Sequence, residues 1–448
     1  MSRLGPWVAL LLGSTVAACS PAKDEGPAGT FGKDAGTDAA VEDGFVAEDT
    51  GPTEGGLVVD APLPTETGGG KGCGTVAEPD FDCDGYTVAQ GDCNDKDATI
   101  NPEAYDFEGD TIDNDCDGTV DNPVKTCTVS VTSDDPKDFG RSADLCPQRA
   151  KTKAGVPFDP LVKAEFGAAG GSATKASQRK IVNAFGDNKP RVGDSFFGLQ
   201  NGPWGSKDPR AAKALDLFPA TGGCAAIPLT ADDCKQLSNG ASPLPGFPVN
   251  IQDWAEVRLF IQVPTNAKAM SFDFAFFSSE FSQYWNSSFN DAFFALVTGK
   301  KVAGANVAKD AKGRAITVNS GFFQLCPKPG SVTGVDAKAL SSAPCVGTEG
   351  DATVAGTLKG TNFDGASATP ATTDDTIDGG AGVRYVYGGG TGWLTAKFEV
   401  EPGEKIVIRF TVNDTSDGVL DSAAIVDNIR WDKAPPKVPT GEVERPPK

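Results

Sequence analysis

Two runs of the form Asp-x-Asp-x-Asp-Gly constrain this chain more than any other feature: Asp80, Asp82, Asp84, Gly85 and Asp113, Asp115, Asp117, Gly118. Carboxylates at alternate positions of a turning loop converge on one point, and the glycine lets the backbone turn sharply past it. A hard cation with oxygen ligands fits that point, and calcium fits best. Residues 74–122 carry 15 acidic side chains against one lysine, Lys96. So dense a charge opposes folding unless a counter-ion is present. The competing reading is a solvated acidic linker. The glycine at the sixth position of both runs, with Cys83, Cys93 and Cys116 interleaved, favours cation binding. Neither run is a complete EF-hand loop, because position 12 is Gly91 in the first and Val124 in the second. Asp92, Asp95, Asp97 and Asp121 are the candidates to complete the shells. The segment has few apolar residues (Phe81, Tyr86, Ile100 and Phe107 among them), so metal and disulfides are the expected staples.

The charge is unevenly spread. Residues 123–448 hold 35 acids and 35 bases, so the larger part of the chain is a neutral body without a basic stripe for nucleic acid. The chain starts MSRLGPWVALLLGSTVAACS: a positive Arg3, an apolar stretch and a small-residue end, too short to span a membrane and typical of an export signal. Residues 20–72 are rich in Gly, Pro, Thr and acids and read as a disordered tether. Such a tether stands the folded part off a membrane by on the order of tens of ångströms. Cys19 apart, ten cysteines remain, an even number that suits disulfides in an exported protein. Their order invites the pairs Cys127–Cys146, Cys224–Cys234 and Cys326–Cys345, with Cys83–Cys93 and Cys73–Cys116 in the acidic segment. Order alone does not fix connectivity.

From residue 123 the pattern becomes strand-like. Met270, Phe272, Phe274 and Phe276 alternate with Ser271, Asp273 and Ala275; Ile406, Ile408, Phe410 and Val412 alternate again. Further runs cover 257–263, 292–297, 394–400 and 423–431, punctuated by Pro and Gly. Short strands between such turns predict a β-sandwich. Helix signals are weak and lie near 137–151, 174–184 and 207–216. Phe272, Phe274, Phe276, Phe293, Phe294 and Phe410 are the expected core. Tyr284 and Trp285, in the polar segment SQYWNSS, are candidates either for a binding platform or for packing back onto the sheet.

Three resemblances add to this reading. Val16-Ala17-Ala18-Cys19 resembles a bacterial lipobox, which implies cleavage before Cys19, its lipidation, and membrane attachment through the lipid. Ser20, in place of an aspartate, implies the outer membrane or cell surface of a Gram-negative bacterium. The run GDCNDKDATINPEAYDFEGDTIDNDCDGTVDN resembles a metal-binding repeat of bacterial surface proteins, first linked to a copper-binding protein. Its usual cysteine before the second run is replaced here by Tyr105-Asp106-Phe107-Glu108, so Cys116 needs another partner. The segments MSFDFAFFSSEFSQYWNSSFNDAFFALV and EPGEKIVIRFTVNDTSDGVLDSAAIVDNIRW resemble the choice-of-anchor L domain, a β-rich module of bacterial surface proteins. That likeness covers about 250–432 well and 123–250 less. The family's Ser-Glu-Glu-Tyr stands here as Ser278-Ser279-Glu280-Phe281.

The chain contains no histidine, which excludes Ser-His-Asp and Cys-His catalysis and histidine-based zinc sites. It also weighs against copper, which prefers imidazole or sulfur ligands. Glu280, Asp291, Asp417 and Asp421 are candidates for a structural cluster or second cation site, and, as the enzymatic alternative, for a glycosidase-like carboxylate pair. The expectation is a mainly β protein: signal peptide 1–18, tether 19–72, calcium- and disulfide-stapled module 73–122, β-sandwich 123–432 and a frayed Pro-rich tail 433–448. Its expected role is non-catalytic calcium-dependent adhesion to a surface glycan or protein, with metal capture and glycan hydrolysis as alternatives.

Overall fold

The alternating runs become strands, and their apolar faces meet. The computed structural model describes residues 73, 79–123, 126–149, 152–167, 174–205, 229–237, 251–281, 285–326, 347–348, 354–364, 388–415, 420–438 and 441–445. The expected signal peptide, Cys19 and the tether lie outside them. The strands are β1 Leu161–Gly167, β2 Arg179–Val182, β3 Phe196–Gln200, β4 Ile251–Gln262, β5 Ala269–Ser278, β6 Ala292–Thr298, β7 Ala303–Asn306, β8 Ile316–Thr317, β9 Leu325–Cys326, β10 Gly347–Thr348, β11 Gly389–Gly390, β12 Leu394–Glu399, β13 Lys405–Thr415 and β14 Ser422–Asp432. One sheet runs β1-β4-β13-β6-β7, with β8 pairing β6; the other runs β10-β9-β11-β5-β14-β3-β2, with β12 pairing β5. Among the described strands, pairing is antiparallel except between β9 and β10.

The core lies where the sheets face each other. Val257, Leu259 and Ile261 of β4 and Ile408, Phe410 and Val412 of β13 meet Phe272, Phe274 and Phe276 of β5 in one cluster. Phe272 meets Phe410 edge-on at 4.9 Å between ring centroids, and Phe274 stacks on Phe293 at 4.5 Å. Such pairs add on the order of 1 kcal/mol beyond the burial of their area. Phe294, on the opposite parity of β6, packs instead with Trp254 and Leu237. The outer face of β5 is covered as well, since Ala275 and Phe277 pack with Phe185, Phe363 and Trp393.

Helix is sparse. The signal near 137–151 becomes one short helix, α1 (Pro136–Ser142), with Asp135 capping the Lys137 amide at 2.9 Å and Pro136 at the first turn. The signal at 174–184 is overturned. After a single 3-10 turn the chain extends as β2, because its backbone groups complete the edge of β3. The signal at 207–216 lies outside the described residues; a further short helix, α2, spans Ala231–Leu237. No helix among the described residues is long and apolar enough to cross a membrane. Within the expected frayed tail, residues 441–445 are held: Val443 joins the core, Glu444 pairs with Thr395, and Arg445 donates to the carbonyls of Thr391 and Phe322.

The acidic segment packs directly on the sandwich. Phe107 is buried in the main core, with Tyr105 against it. The turn between β4 and β5 enters the segment like a peg. Asn266 accepts from the Tyr105 amide at 2.8 Å and donates to the carbonyls of Thr99 and Tyr105.

Candidate metal centre

Each Asp-x-Asp-x-Asp-Gly run folds into a loop organised by its own first carboxylate. Asp80 accepts the amides of Cys83 and Gly85 at 2.6 and 3.0 Å. Asp113 accepts those of Asp117 and Gly118 at 3.2 and 3.0 Å. In both loops the third-position aspartate accepts the fifth-position amide, and the fifth-position aspartate accepts the seventh. The backbones match too: φ is 66° at Cys83 and 58° at Cys116, then 93° at Gly85 and 91° at Gly118. Glycine at the sixth position meets a requirement here, since that φ is costly for any residue with a Cβ. The two loops are one structural unit used twice.

The disulfides follow this repeat and correct the expected pairs. Cys83 bonds Cys73, and Cys116 bonds Cys93, in place of Cys83–Cys93 and Cys73–Cys116. The reason is local. The Cys73 amide donates to the Asp80 carbonyl at the mouth of the first loop, and Cys93 sits with its amide 3.1 Å from Cys116 Sγ at the second. Each loop is therefore cross-linked at its fourth residue to the segment beside it. Cys127–Cys146 forms as expected. Cys234 and Cys326 are disulfide-bonded; their expected partners, Cys224 and Cys345, lie outside the described residues.

The carboxylates gather into three groups in this segment, each with ligand oxygens within 4.8 Å of one another: Asp80, Asp82 and Asp95; Asp82, Asp84 and Asp92; Asp113, Asp115 and Asp117. The second group fits a cation most directly. Asp82 Oδ1, Asp84 Oδ1 and Asp92 Oδ1 each accept a backbone amide. Their Oδ2 atoms are buried and accept no hydrogen bond. Three clustered carboxylates that each keep a buried oxygen without a hydrogen bond leave an unmet demand that a hard cation satisfies. The electrostatics agree. Burial, followed by the Asp82 and Asp92 charges, pushes Asp84 up to about 7. Burial and the neighbouring acids also raise Asp82 and Asp92. In the second loop, burial and then Asp117 push Asp115 up to about 7.

Not every expected ligand joins these groups. Asp97 accepts the amide and hydroxyl of Thr99, and Asp121 accepts the amides of Asp110 and Thr111. Both hold turns. Asp95 joins the first group while also accepting the Phe81 amide at 2.8 Å.

Residues 92–122 match the family model Cu-binding_MopE, described as "Putative metal-binding motif". The match takes in the second loop and Asp92, while Asp80, Asp82 and Asp84 lie before it. No curated protein and no solved structure matches the chain.

A fourth acidic group lies in the sandwich: Glu280, Asp291 and Asp414, all buried. Asp291 ties strand ends together, accepting the Thr415 amide, the Asn201 amide group and the Ser422 hydroxyl. Its own amide donates to Glu280. Asp421 is buried but is not a member of the group, and accepts from Gln200 at 2.9 Å; Asp417 lies outside the described residues. Asp414, at the head of the acidic run that ends in Asp421, is the third member of the group. It continues the parity of Ile408, Phe410 and Val412, past an irregularity in the β13 register. Trp285 packs against the main core, and Tyr284 lies outside the described residues.

Proposed function

We propose that this chain is a calcium-binding surface lipoprotein of a Gram-negative bacterium, with a β-sandwich of the choice-of-anchor L kind that serves adhesion without catalysis. The observation that carries the metal reading is the convergence of the Asp82, Asp84 and Asp92 carboxylates, each of which keeps a buried Oδ2 that accepts no hydrogen bond. An all-oxygen set suits calcium. Asp82, Asp84 and Asp92 would hold the ion in the first loop and Asp113, Asp115 and Asp117 in the second. The bound ion would supply the positive charge that the folded loops lack.

Export and the lipid at Cys19 are supported by the N-terminal pattern and by the disulfides, which persist in oxidising compartments. The non-catalytic reading is supported by Asp291, whose oxygens are taken up by strand ends. The name of the matching family favours copper capture as the second reading. Against it stand the absence of histidine from the chain and the disulfide bonding of Cys73, Cys83, Cys93 and Cys116.

Calorimetric titration of the whole chain with calcium and with copper separates the two. Saturable calcium binding with a rise in melting temperature is expected. Tight copper binding that calcium does not displace would replace the calcium reading with metal capture.

A further inference from the structure

The first loop is joined to the sandwich by two chains of contacts. In one, the Tyr86 amide donates to Asp84 Oδ1 at 2.7 Å, the Tyr86 hydroxyl donates to Glu103, and the Glu103 carbonyl accepts the Thr265 amide at 3.2 Å. In the other, the Asn101 side chain acts on the Asp84 carboxylate and favours its charged form. Asn101 is fully buried, and its Oδ1 accepts the Thr265 hydroxyl at 2.9 Å and the Glu103 amide at 2.9 Å. Asn266, next along the turn, clamps the same segment through Thr99 and Tyr105. A sandwich turn thus fixes the two residues, Asn101 and Glu103, that flank the Asp84 end of the cation group. The second loop reaches this segment through Asn114, whose carbonyl accepts the Asn101 amide, whose side chain accepts the Phe107 amide and whose own amide donates to Asp106; its clustered carboxylates Asp113, Asp115 and Asp117 accept amides of their own loop instead.

We infer that Thr265 and Asn266 are positioning residues for the first-loop cation site, so that cation binding at Asp82, Asp84 and Asp92 and docking of the acidic segment on the β4–β5 turn strengthen each other. This rests on the metal reading proposed above. A ligand that orders one side of a contact network must be bound more tightly when the other side is already ordered, and the coupling is reciprocal. The acidic segment cut away from the sandwich would hold the same ligands in a looser arrangement. The reach of the sandwich into the site also explains why Asn101 and Asn266, polar residues with little exposure, sit at this junction.

The test is calcium calorimetry on the whole chain carrying Asp115→Asn, which leaves the first loop as the measured site. Thr265→Val removes one hydroxyl and preserves shape; Asn266→Ala removes the peg. Each is expected to weaken first-loop binding by roughly 5- to 10-fold, the lower part of the range seen for coupled sites. In an Asp92→Asn background, where the second loop is measured, the same changes should lower affinity clearly less. Calcium should also slow amide exchange at Thr265 and Tyr105, the two amides that donate across the junction, while leaving Val257 in mid-β4 unchanged. Calcium binding by the parent with unchanged first-loop affinity in both variants would overturn this inference alone, as would an equal loss at both loops. Absence of calcium binding by the parent would overturn the metal reading and this inference with it.

Discussion

The sandwich and the acidic segment both bury carboxylates, and they neutralise them differently. Asp273, in mid-β5, is almost fully buried and meets Arg430 at 3.2 Å, Arg191 at 3.5 Å, the Thr395 hydroxyl and the Asn428 amide group. Glu256 on β4 likewise meets Arg258 and the Trp254 indole at 2.9 Å. Asp82, Asp84 and Asp92 have backbone amides on one oxygen each, a buried second oxygen that accepts no hydrogen bond, and one another as neighbours. A buried acid is tolerated when a positive partner and hydrogen bonds accompany it. At Asp273 and Glu256 the sandwich brings those partners within its own sequence. The acidic segment leaves a place for one from solution.

The comparison breaks first at Asp273. Asp273→Ala leaves Arg191 and Arg430 without their shared acid, and removing one partner of a buried pair typically costs about 3 kcal/mol. Denaturant melts should show that loss equally with and without chelator. A loss that depended on calcium would show that Asp273 is itself coupled to the cation site. The next effect is the cation itself. At free calcium a hundredfold above Kd the folded chain should gain about 2.7 kcal/mol, and chelator should remove it. Asp92→Asn sharpens the contrast through its sign. With calcium it should weaken the chain by removing a ligand; in chelator it should be neutral or stabilising, because it removes one of three mutually repelling charges. A loss of equal size under both conditions would show that Asp92 acts through packing.

The pH dependence of the metal-free chain should be smaller and opposite to ordinary acid denaturation. Asp84 and Asp115 are raised to about 7, first by burial and then by neighbouring acids. A raised folded value means that folding favours the protonated form. The contribution is therefore fully present below the usual carboxylate range near pH 4 and is lost as pH climbs through about 7. Asp144, raised to about 7, and Asp427, raised to about 8, both mainly by burial, add the same trend from the sandwich. Calcium should cancel the module's share and leave theirs. The gap between melting curves with and without calcium should thus widen from pH 4 to pH 7; a constant gap would mean that the cation does not sit on these carboxylates.

Much of this was legible in the sequence, for a physical reason. Strand parity and the Asp-x-Asp-x-Asp-Gly spacing are local properties, and both the sheets and the two loops followed from them. Phe272, Phe274, Phe276 and Phe410 needed only the period of two to be placed in the core. What depended on non-local neighbours was not legible. Cys73 and Cys93 are set beside their loops by backbone contacts that the order of cysteines does not encode. Asp97 and Asp121 have the right chemistry for ligands but stand outside the clustered carboxylates, where they hold turns. The peg of Asn266 joins residues 161 positions apart, and nothing near it in the sequence announces the partner. The C-terminal residues 441–445, rich in proline before and after, still find the edge of β12.

The smallest predicted effect tests where the two regions meet. Tyr86 follows the first loop, is almost fully buried, and donates its hydroxyl to Glu103 while the Lys153 ammonium lies 4.3 Å from its ring centroid. Lys153 also donates to the Gly85 carbonyl, so one cation from the sandwich side touches both the loop glycine and the tyrosine ring. Burial, with Glu103 alongside, pushes the phenol up and keeps it a donor. Tyr86→Phe keeps the ring and its contact with Lys153 and removes only the hydrogen bond, a change worth about 1 kcal/mol. If the acidic segment folded around its ion without help, that loss would be the same in calcium and in chelator. The contacts running from Asp84 through Tyr86 and Glu103 to Thr265 predict a larger loss in calcium, where the loop is held in the geometry that the bond supports. Urea melts of the parent and Tyr86→Phe under both conditions measure that difference, and equal losses would reduce Tyr86 to a packing residue and return the two regions to independence.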